Sequence, residues 1–234
     1  MRQAVILAGG RGTRLLARLD GRPKPLVDID GVPLLRRQID ALRNHGVTEV
    51  IVLVNHAADQ IAAFFAGLSQ ADPGLEFPRI TLIDDGEPRG TAGALLHAFD
   101  RLAERFLVVY GDTLFDVDID RFWRCHCEAR ADAALLLHPN DHPFDSDLVE
   151  IDDNGAVLAM HRPPHDPGAC FPNLVNAAMY VMERRAVAFW RDRPGQSDIA
   201  RDLFPAMLAR GARLQGYVSF EYIKDIGTPK RLDQ

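Results

Sequence analysis

The sequence predicts an α/β fold in which a mostly parallel sheet carries helices on both faces. In the first half of the chain, short apolar runs rich in β-branched residues alternate with stretches whose apolar residues recur every three or four positions. Loops containing glycine or aspartate follow several of these runs, and the loops after parallel strands meet at one edge of a sheet, where ligands bind. A chain of 234 residues with 47% hydrophobic content can bury such a core.

The first half supplies this alternation in order. The predicted strands are the apolar runs at 4–8, 49–54, 79–83 and 106–110, with a short extended segment at 26–29. A helix is expected after Pro33, with Leu35, Ile39 and Leu42 on one face and Gly46 at its end. Two more helices are predicted, one around Ile61, Phe64, Phe65 and Leu68 and one over 91–103.

The second half is richer in strands and irregular loops. Strand-like runs lie at 133–137, 148–151, 157–160, 174–182 and 214–220. Helices are expected over 119–129 and from a cap at Ser197 to about residue 209. The His- and Pro-rich stretches 138–147 and 161–172 can form a rim over a pocket. We expect one domain over 1–234, made of two halves at 1–116 and 117–234.

Composition excludes several classes of protein. A net charge of −6 argues against a broad nucleic-acid surface. The chain has neither an apolar run of the ~20 residues that a membrane span needs nor a signal-peptide pattern, so a cytoplasmic location is expected. Three cysteines do not make a disulfide framework. Cys125, His126 and Cys127 fall in a predicted helix, where residues two apart point away from each other, so a zinc site is not expected.

The loop after the first strand has the composition of a phosphate site. Leu7 and Ala8 end the apolar run, and the loop continues as Gly9-Gly10-Arg11-Gly12-Thr13-Arg14. Backbone N–H groups of such a loop can approach an anion closely, while Arg14 and Lys24, which lies between two prolines, can neutralise phosphate oxygens. The loop matches neither the Walker P-loop nor the dinucleotide fingerprint. We expect it to bind a triphosphate, so that 1–116 is the nucleotide-binding half of the domain and 117–234 the acceptor-binding half.

Two aspartates are candidate ligands for a metal ion. Asp112 directly follows the strand at 106–110 and one glycine, and Asp225 opens the turn Asp225-Ile226-Gly227-Thr228-Pro229. Each can also be a simple turn cap. If the two carboxylates meet one triphosphate, they form the hard-oxygen site that Mg²⁺ prefers.

The sequence resembles that of a known family, the sugar-1-phosphate nucleotidylyltransferases. The resemblance rests on four segments that occur in the family's order. They are Leu7-Ala8-Gly9-Gly10-Arg11-Gly12-Thr13-Arg14-Leu15 with Pro23-Lys24-Pro25-Leu26, Glu87-Pro88-Arg89-Gly90-Thr91-Ala92-Gly93-Ala94, Gly111-Asp112, and Asp225-Ile226-Gly227-Thr228-Pro229. The resemblance implies a Rossmann-like mixed sheet with a small sugar-binding lobe. It also implies attack of a sugar-1-phosphate oxygen on the α-phosphorus of a nucleoside triphosphate.

The resemblance also implies roles for individual residues. Arg14 and Lys24 would be catalytic, Arg14 on the pyrophosphate and Lys24 between the two reacting phosphates. Asp112 and Asp225 would bind Mg²⁺, and Asn176 would contact the sugar. The nucleotide would lie against a larger set: Leu7, Ala8, Gly9, Gly10, Gly12, Thr13, Asp85, Gly90 and Thr91.

Asp85 bears on the choice of base. Uridylyl and thymidylyl members of the family place a glutamine five residues before the glycine of the Gly-Thr block, and here that position is Asp85. A carboxylate only accepts hydrogen bonds, and guanine offers N1–H and N2–H₂ together, whereas uracil offers one N3–H between two carbonyls. GTP is therefore favoured, with Asp84 and Glu87 as competing candidates for this contact.

The sugar region departs from the hexose members. Ser146 and Asp147 stand where those members carry a Tyr-Gly pair, and Arg162 stands in place of a Glu-Lys-Pro-like segment. The region resembles that of the D-glycero-D-manno-heptose-1-phosphate guanylyltransferases. Asp147 or Asp145 could accept from the extra hydroxyl of a heptose, and Arg162 could hold the sugar phosphate. The alternative acceptor for a guanylyl group is mannose 1-phosphate. The alternative activities are those of a uridylyl or thymidylyl transferase and of a transferase for a phosphate such as phosphocholine. A non-catalytic nucleotide-sugar sensor is a further alternative.

Overall fold

The computed structural model describes residues 2–10, 19, 21–71, 76–166, 168 and 170–227. The strands in these residues are β1 (Arg2–Leu7), β2 (Asp28–Ile29), β3 (Val32–Pro33), β4 (Val47–Val54), β5 (Arg79–Asp84), β6 (Arg105–Tyr110), β7 (Thr113–Asp116), β8 (Ala133–His138), β9 (Leu148–Ile151), β10 (Val157–His161), β11 (Val175–Glu183), β12 (Leu214–Val218) and β13 (Tyr222–Asp225). The α-helices are α1 (Leu34–Asn44), α2 (Ala58–Ala71), α3 (Gly90–His97), α4 (Ile119–Ala129), α5 (Arg184–Val187) and α6 (Phe204–Ala209). None of these helices combines the length and the apolar content that crossing a bilayer requires.

Nine strands form one mixed sheet. β5, β4, β1 and β6 lie side by side and are parallel. β11 pairs antiparallel with β6 and, on its other side, with β8, and β12 is parallel to β8. β9 meets β11 at one residue pair and pairs antiparallel with β10. Within this sheet the strands other than β10 and β11 run in one direction, which confirms the predicted mostly parallel α/β fold.

The central strands are buried on both faces. In β1, Val5 packs into one apolar cluster while Ala4 and Ile6 pack into another. In β6, Phe106 and Val108 join the first cluster while Leu107 and Val109 join the second. Because successive side chains of a strand point to opposite faces, one apolar run supplies the cores on both sides of the sheet. We call the edge where β1, β4, β5 and β6 end the carboxyl edge, and the edge where they begin the amino edge.

Helix α1 has the predicted amphipathic face. Leu35, Ile39 and Leu42 are fully buried, and the helix ends at Asn44, two residues before Gly46. Gly46 has φ +72°, a left-handed conformation that glycine adopts without a steric cost. The same buried face also carries one polar residue, Gln38.

Two local predictions are wrong. The helix expected over 91–103 ends at His97 and is followed by a 3-10 turn at Phe99–Arg101. The reason is tertiary: the Gln3 side chain accepts from the Ala103 amide (2.7 Å) and donates to the Arg101 carbonyl (2.9 Å), groups that a continued helix would have paired internally.

The cap expected at Ser197 is instead made by Asp198. Asp198 Oδ1 accepts from the amides of Ala200 (2.9 Å) and Arg201 (3.0 Å) at the start of a π-helical turn, Ile199–Leu203, that leads into α6. The Ser197 hydroxyl accepts from Trp190 Nε1 at 3.3 Å. A carboxylate is a strong acceptor for the free amides of a helix start, which explains why the neighbouring residue has this role.

Candidate active site

A cavity of about 370 Å³ opens at the carboxyl edge. It lies between the ends of β1, β4 and β6 and the start of α3, which is the position where α/β sheets bind ligands. Its lining consists of Leu7, Ala8, Gly9, Gly10, Lys24, Pro25, Leu53, Asn55, Asp85, Pro88, Arg89, Gly90, Thr91, Ala94, Tyr110, Gly111, Asp112 and Gln196. Most of the nucleotide-binding residues expected from the sequence are in this set.

The glycine loop leaves β1 along the wall of this cavity. The Ala8 amide donates to the Leu53 carbonyl at 2.8 Å, which ties the start of the loop to β4. A Cβ atom on Gly9 would lie 3.3 Å from Asn55 Cβ, whereas a Cβ on Gly10 would meet nothing within 4 Å. The small residue at Gly9 thus allows close packing, and the backbone at Gly10 is open to a ligand. Gly12, Thr13 and Arg14 lie outside the described residues, and their predicted roles stay predictions.

Lys24 and Asp112 meet at the floor of the cavity. Lys24 Nζ lies 2.5 Å from Asp112 Oδ2, and the lysine side chain is only 12% exposed. A Cβ on Gly227 would lie 2.7 Å from Asp225 Oδ1 and 3.6 Å from Lys24 Nζ, so the second aspartate and the ammonium crowd the same face of this glycine. Three segments that are distant in sequence therefore bring one lysine and two carboxylates together.

Backbone pairing explains this convergence. β13 pairs antiparallel with β7, which places Asp225 opposite Thr113. The Ile226 amide then donates to the Asp112 carbonyl at 2.8 Å. The Gly111 amide donates to the Leu7 carbonyl at 3.0 Å, and a Cβ on Gly111 would lie 3.0 Å from that same oxygen. A glycine fits closely there, because the turn after β6 packs directly on the end of β1 and a side chain would require the neighbouring backbone to shift.

Asp85 is a buried carboxylate without a complete set of partners. It follows β5, is 5% exposed, and its Oδ1 has no hydrogen-bond partner among the described residues. Burial raises the pKa of this carboxyl to about 6, against the opposing effects of His97 and Arg89. An unpaired carboxylate in a cavity wall is an acceptor for hydrogen-bond donors of a ligand, and perturbed acids of this kind cluster at functional sites.

Gly90 and Thr91 begin α3 at the opposite wall. Gly90 has φ +72°, and a Cβ there would lie 2.3 Å from the Ser197 carbonyl oxygen, so only glycine fits. Thr91 lines the cavity, but its hydroxyl donates to Asp198 Oδ2 at 2.7 Å and accepts from the Ile199 amide at 2.8 Å. Both residues therefore fix the start of α3 against the turn that contains Ser197.

The three residues expected to bind the sugar are not part of the described lining of this cavity. The Asn176 amide donates to the Asp147 carbonyl at 3.1 Å, and Asn176 Oδ1 accepts from the Ala178 amide at 3.2 Å. Ala178 has φ +57° at a register shift in β11, and this bulge sets the direction of the Asn176 side chain. Arg162 is exposed and donates to the Arg201 carbonyl.

The two His-rich loops pack on each other. His165 Nε2 lies 2.9 Å from the Ser146 carbonyl oxygen. The His161 ring stacks on Phe171 with 4.1 Å between centroids, and its Nε2 lies 3.0 Å from Glu150 Oε2. These histidines take part in loop hydrogen bonds and ring contacts.

Sequence reasoning missed several residues at the cavity. Asn55, Arg89, Tyr110 and Gln196 line it, and Gln38 reaches its floor from α1. The sequence does contain a signal for Asn55, because this polar residue directly follows the strand β4 just as Asp85 directly follows β5. A polar residue within the apolar stripe of α1 was the corresponding signal for Gln38.

A different group of metal-binding residue types lies at the amino edge. His45, Asp118 and Asp120 bring one potential ligand atom each within 4.8 Å of one another. Asp120 also pairs with Arg2 at the start of β1, and Asp118 Oδ1 accepts from the Arg121 amide as the cap of α4. The arginine and the cap account for these carboxylates, and the group lies at the end of β1 opposite the cavity.

Comparison with known proteins places this site in a family. The family model described as "Nucleotidyl transferase" matches residues 3–234. The chain belongs to the nucleotidyl transferase family. Among the relatives of this nucleotidyl transferase, the mannose-1-phosphate guanylyltransferase of Mycobacterium tuberculosis is 31% identical over 97% of this chain and 61% of its own length. The bifunctional protein GlmU of Methanocaldococcus jannaschii is 26% identical over 97% of this chain. The chain spans 61% and 51% of the length of these two relatives.

Solved structures agree over the whole chain. HddC from Yersinia pseudotuberculosis has a TM-score of 0.79 at 26% identity and covers 100% of this chain and 99% of its own. HddC complexed with GMP-PN gives 0.78 at the same identity, with 100% and 97% coverage. A putative glucose-1-phosphate thymidylyltransferase from Bacillus anthracis reaches 0.83 at 20% identity, covering 100% of this chain and 93% of its own, a likeness of fold alone.

Proposed function

We propose that this nucleotidyl transferase transfers a guanylyl group from GTP to a sugar 1-phosphate, releasing pyrophosphate and forming a nucleotide-activated sugar. The observation that carries the proposal is the convergence of Lys24, Asp112 and Asp225 beside a cavity walled by the glycine loop. A glycine loop alone would serve many nucleotide-binding proteins. A lysine that pairs with one carboxylate, beside the turn that carries a second, is suited to chemistry on phosphates.

In the proposed reaction an oxygen of the sugar phosphate attacks the α-phosphorus of GTP. The bond from the α-phosphorus to the bridging oxygen breaks, and pyrophosphate leaves with the bonding electrons. The nucleophile is already an anion, so the reaction needs alignment and charge neutralisation rather than a general base. Lys24 offsets the repulsion between the two phosphates and the charge that develops at the α-phosphoryl group. Arg14, outside the described residues, is proposed to hold the pyrophosphate.

Asp112 and Asp225 have the chemistry to hold Mg²⁺. Both are carboxylates, the preferred ligand type for this ion, and β7 and β13 bring them to the same place. The Asp112 side chain is 32% exposed, so one of its oxygens can face a ligand while the other contacts Lys24. When bound, Mg²⁺ supplies positive charge that stabilises the phosphates during transfer.

Asp85 is proposed to select guanine. Asp85 lines the cavity, and the two oxygens of its carboxylate can accept from guanine N1–H and N2–H₂ together, whereas the carbonyls of uracil would face it with like partial charge. Two comparisons support a guanine nucleotide: several relatives carry the name mannose-1-phosphate guanylyltransferase, and HddC has been solved with GMP-PN.

The favoured acceptor is D-glycero-alpha-D-manno-heptose 1-phosphate, activated for surface polysaccharide synthesis. Support comes from the sequence of the sugar-binding half, where Ser146, Asp147 and Arg162 depart from the hexose pattern. In this proposal Asn176 and Asp147 contact sugar hydroxyls and Arg162 the sugar phosphate. Mannose 1-phosphate is the second candidate acceptor, because it is the substrate given in the names of the guanylyltransferase relatives.

A matrix of substrates tests the proposal. GTP, UTP, dTTP, CTP and ATP are each combined with heptose, mannose, glucose and N-acetylglucosamine 1-phosphates and with phosphocholine, and pyrophosphate release is measured with Mg²⁺ and with EDTA. We expect release with GTP and heptose 1-phosphate, and none with EDTA. Tight GTP binding without release for any acceptor would favour a sensor, and release only with UTP or dTTP would overturn the assignment of Asp85.

A further inference from the structure

Gln38 is a buried polar residue on a helix face that is otherwise apolar. It is 1% exposed and lies on α1 with Leu34, Leu35, Ile39 and Leu42. A buried amide needs hydrogen-bond partners, because losing those to water is costly. The N–H groups of Gln38 have partners in two backbone carbonyls next to the cavity floor, while its Oε1 has no hydrogen-bond partner among the described residues.

Gln38 spans the turn that carries Asp112. Its Nε2 donates to the Tyr110 carbonyl at 2.8 Å and to the Thr113 carbonyl at 2.7 Å. These carbonyls flank Gly111 and Asp112 on both sides. The orientation of the amide follows from chemistry, since a flipped side chain would place its oxygen against two other oxygens. One side chain therefore uses both of its N–H groups to fix the two ends of a two-residue turn.

The remaining contacts of this turn are made by its own backbone. The Gly111 amide donates to the end of β1, and the Asp112 carbonyl accepts from Ile226 after β13. Gln38 adds a third restraint on this turn, which comes from helix α1. From this turn the Asp112 carboxylate reaches Lys24, with Oδ2 2.5 Å from Nζ.

We propose that Gln38 is a positioning residue for the metal-binding carboxylate Asp112. By holding the carbonyls of Tyr110 and Thr113, it fixes the turn so that the carboxylate is already aimed when the metal and the nucleotide bind. This inference rests on the proposed function, which assigns Asp112 to the metal. It goes further in naming a residue of the helix layer that touches neither the nucleotide nor the metal.

The chain offers a matched control for this role. Gln3 is also buried, at 3% exposure, and its side chain also makes two backbone hydrogen bonds, to Arg101 and Ala103. The turn that it holds lies at the amino edge. Gln38→Met and Gln3→Met therefore remove the same amide from the same kind of environment, once beside Asp112 and once at the opposite end of β1.

The test measures metal binding without turnover. Mn²⁺ is titrated into the protein with a non-hydrolysable GTP analogue and followed by its free-ion EPR signal, and the Mg²⁺ concentration for half-maximal pyrophosphate release is measured separately. In Gln38→Met we expect both constants to weaken roughly tenfold, the lower end for residues that orient a metal ligand. In Gln3→Met we expect both to stay within about twofold of wild type. The KM for the sugar phosphate should change in neither variant.

Asp112→Asn separates this inference from the proposed function. If Asp112→Asn binds Mn²⁺ like wild type, the assignment of Asp112 to the metal fails. If it loses Mn²⁺ while Gln38→Met and Gln3→Met behave alike, the positioning role of Gln38 fails and the proposed function stands. Should Gln38→Met not fold, as judged by circular dichroism, the pair Gln38→Asn and Gln3→Asn replaces it, since a side chain one methylene shorter keeps the amide but cannot span both carbonyls.

Discussion

At the amino edge of the sheet, the Glu183 carboxylate has hydrogen-bond partners in Arg105 and His126, whereas at the carboxyl edge Asp85 is buried with one oxygen unpartnered. Glu183 Oε1 accepts from Arg105 Nε at 2.5 Å and lies 3.0 Å from Nε2 of the fully buried His126. Burial opposes the ionisation of Glu183, but the hydrogen bonds from His126 and Arg105 outweigh it and lower its pKa. For Asp85 burial dominates, and its pKa rises to about 6.

Asp120, a second carboxylate at the amino edge, also differs from Asp85 in having a lowered pKa. The hydrogen bonds of Asp120 with His45 and Arg2 lower the pKa of its carboxyl. A carboxylate with a lowered pKa and complete partners stabilises the folded chain, whereas a carboxylate with a raised pKa in a cavity wall reduces stability and remains ready for a ligand. The difference teaches that the number of charged groups does not identify the functional site. Asp85 is distinguished by three properties together: an unpartnered carboxylate oxygen, a raised pKa and a place in the cavity wall.

The largest expected effect is at the lysine of the carboxyl edge. Lys24→Met should lower kcat by about 10²–10³-fold, because the charge at the α-phosphoryl group loses its ammonium partner, while the affinity for GTP changes far less. Single-turnover rates and GTP titration calorimetry measure the two quantities. Arg105→Met, the matched change at the amino edge, should keep its turnover at 25 °C and lose thermal stability. An equal loss of turnover in both variants would remove the distinction between the edges.

The second-largest expected effect is that of replacing Asp85. Asp85→Asn should lower kcat/KM for GTP by about 10²-fold, since an amide cannot accept from both guanine donors. The same change should raise the free energy of unfolding at pH 7 by about 1–2 kcal/mol, because an unpaired buried charge is removed. Steady-state kinetics with GTP and UTP, and urea unfolding, check the two parts. A loss of activity together with a loss of stability would indicate a structural role for Asp85.

Glu183→Gln should show the opposite profile. Replacing this carboxylate leaves Arg105 and His126 without their charged acceptor, and we expect the free energy of unfolding to fall by about 2 kcal/mol at pH 7. The pKa of Glu183 is lowered in the folded chain, so its stabilising effect is present above the pKa of the unfolded chain and is lost as the pH falls through the folded value. Urea unfolding between pH 3 and pH 7 measures this, and an unchanged GTP affinity is the control.

The smallest effect is a pH dependence of GTP binding. Asp85 must be ionised to accept from guanine, and its pKa in the free protein is about 6. Affinity should therefore be constant above this value and fall up to tenfold per pH unit below it. In Asp85→Asn this inflection should be absent. Calorimetric titration of a non-hydrolysable GTP analogue between pH 5 and pH 8 measures it, and an inflection that persists in the variant would assign it to another group.

The parts of the molecule that the sequence predicts are those set by local pattern. The apolar runs of β1, β4 and β6 identify buried strands, and the polar residues that follow them identify the carboxyl edge, because parallel strands end together. Lys24, Asp112 and Asp225 could be grouped only through the resemblance to a family, since the pairing of β7 with β13 joins segments more than a hundred residues apart.

What the sequence does not predict depends on tertiary contacts. Helix α3 ends early because Gln3 takes the backbone groups that would have extended it. Asp198 rather than Ser197 caps the π-helical turn that leads into α6. The sequence shows Gln38 only as a polar residue in an apolar stripe, because its two hydrogen bonds to backbone carbonyls depend on the tertiary structure. In the second half of the chain, the bulge at Ala178 and the loop packing around Ser146 depend on register, which periodicity does not specify.

The most direct test of the central claim is the ionisation of Asp85 with and without ligand. The carboxyl carbon of Asp85, assigned by comparison with Asp85→Asn, is followed by ¹³C NMR through a pH titration of the free protein and of its complexes with non-hydrolysable GTP and UTP analogues. We predict a pKa of about 6 in the free protein, a much lower pKa with the GTP analogue, because guanine donates to the carboxylate, and no such fall with the UTP analogue. The same pKa in the free protein and in the GTP complex would contradict the claim that this carboxylate reads the base.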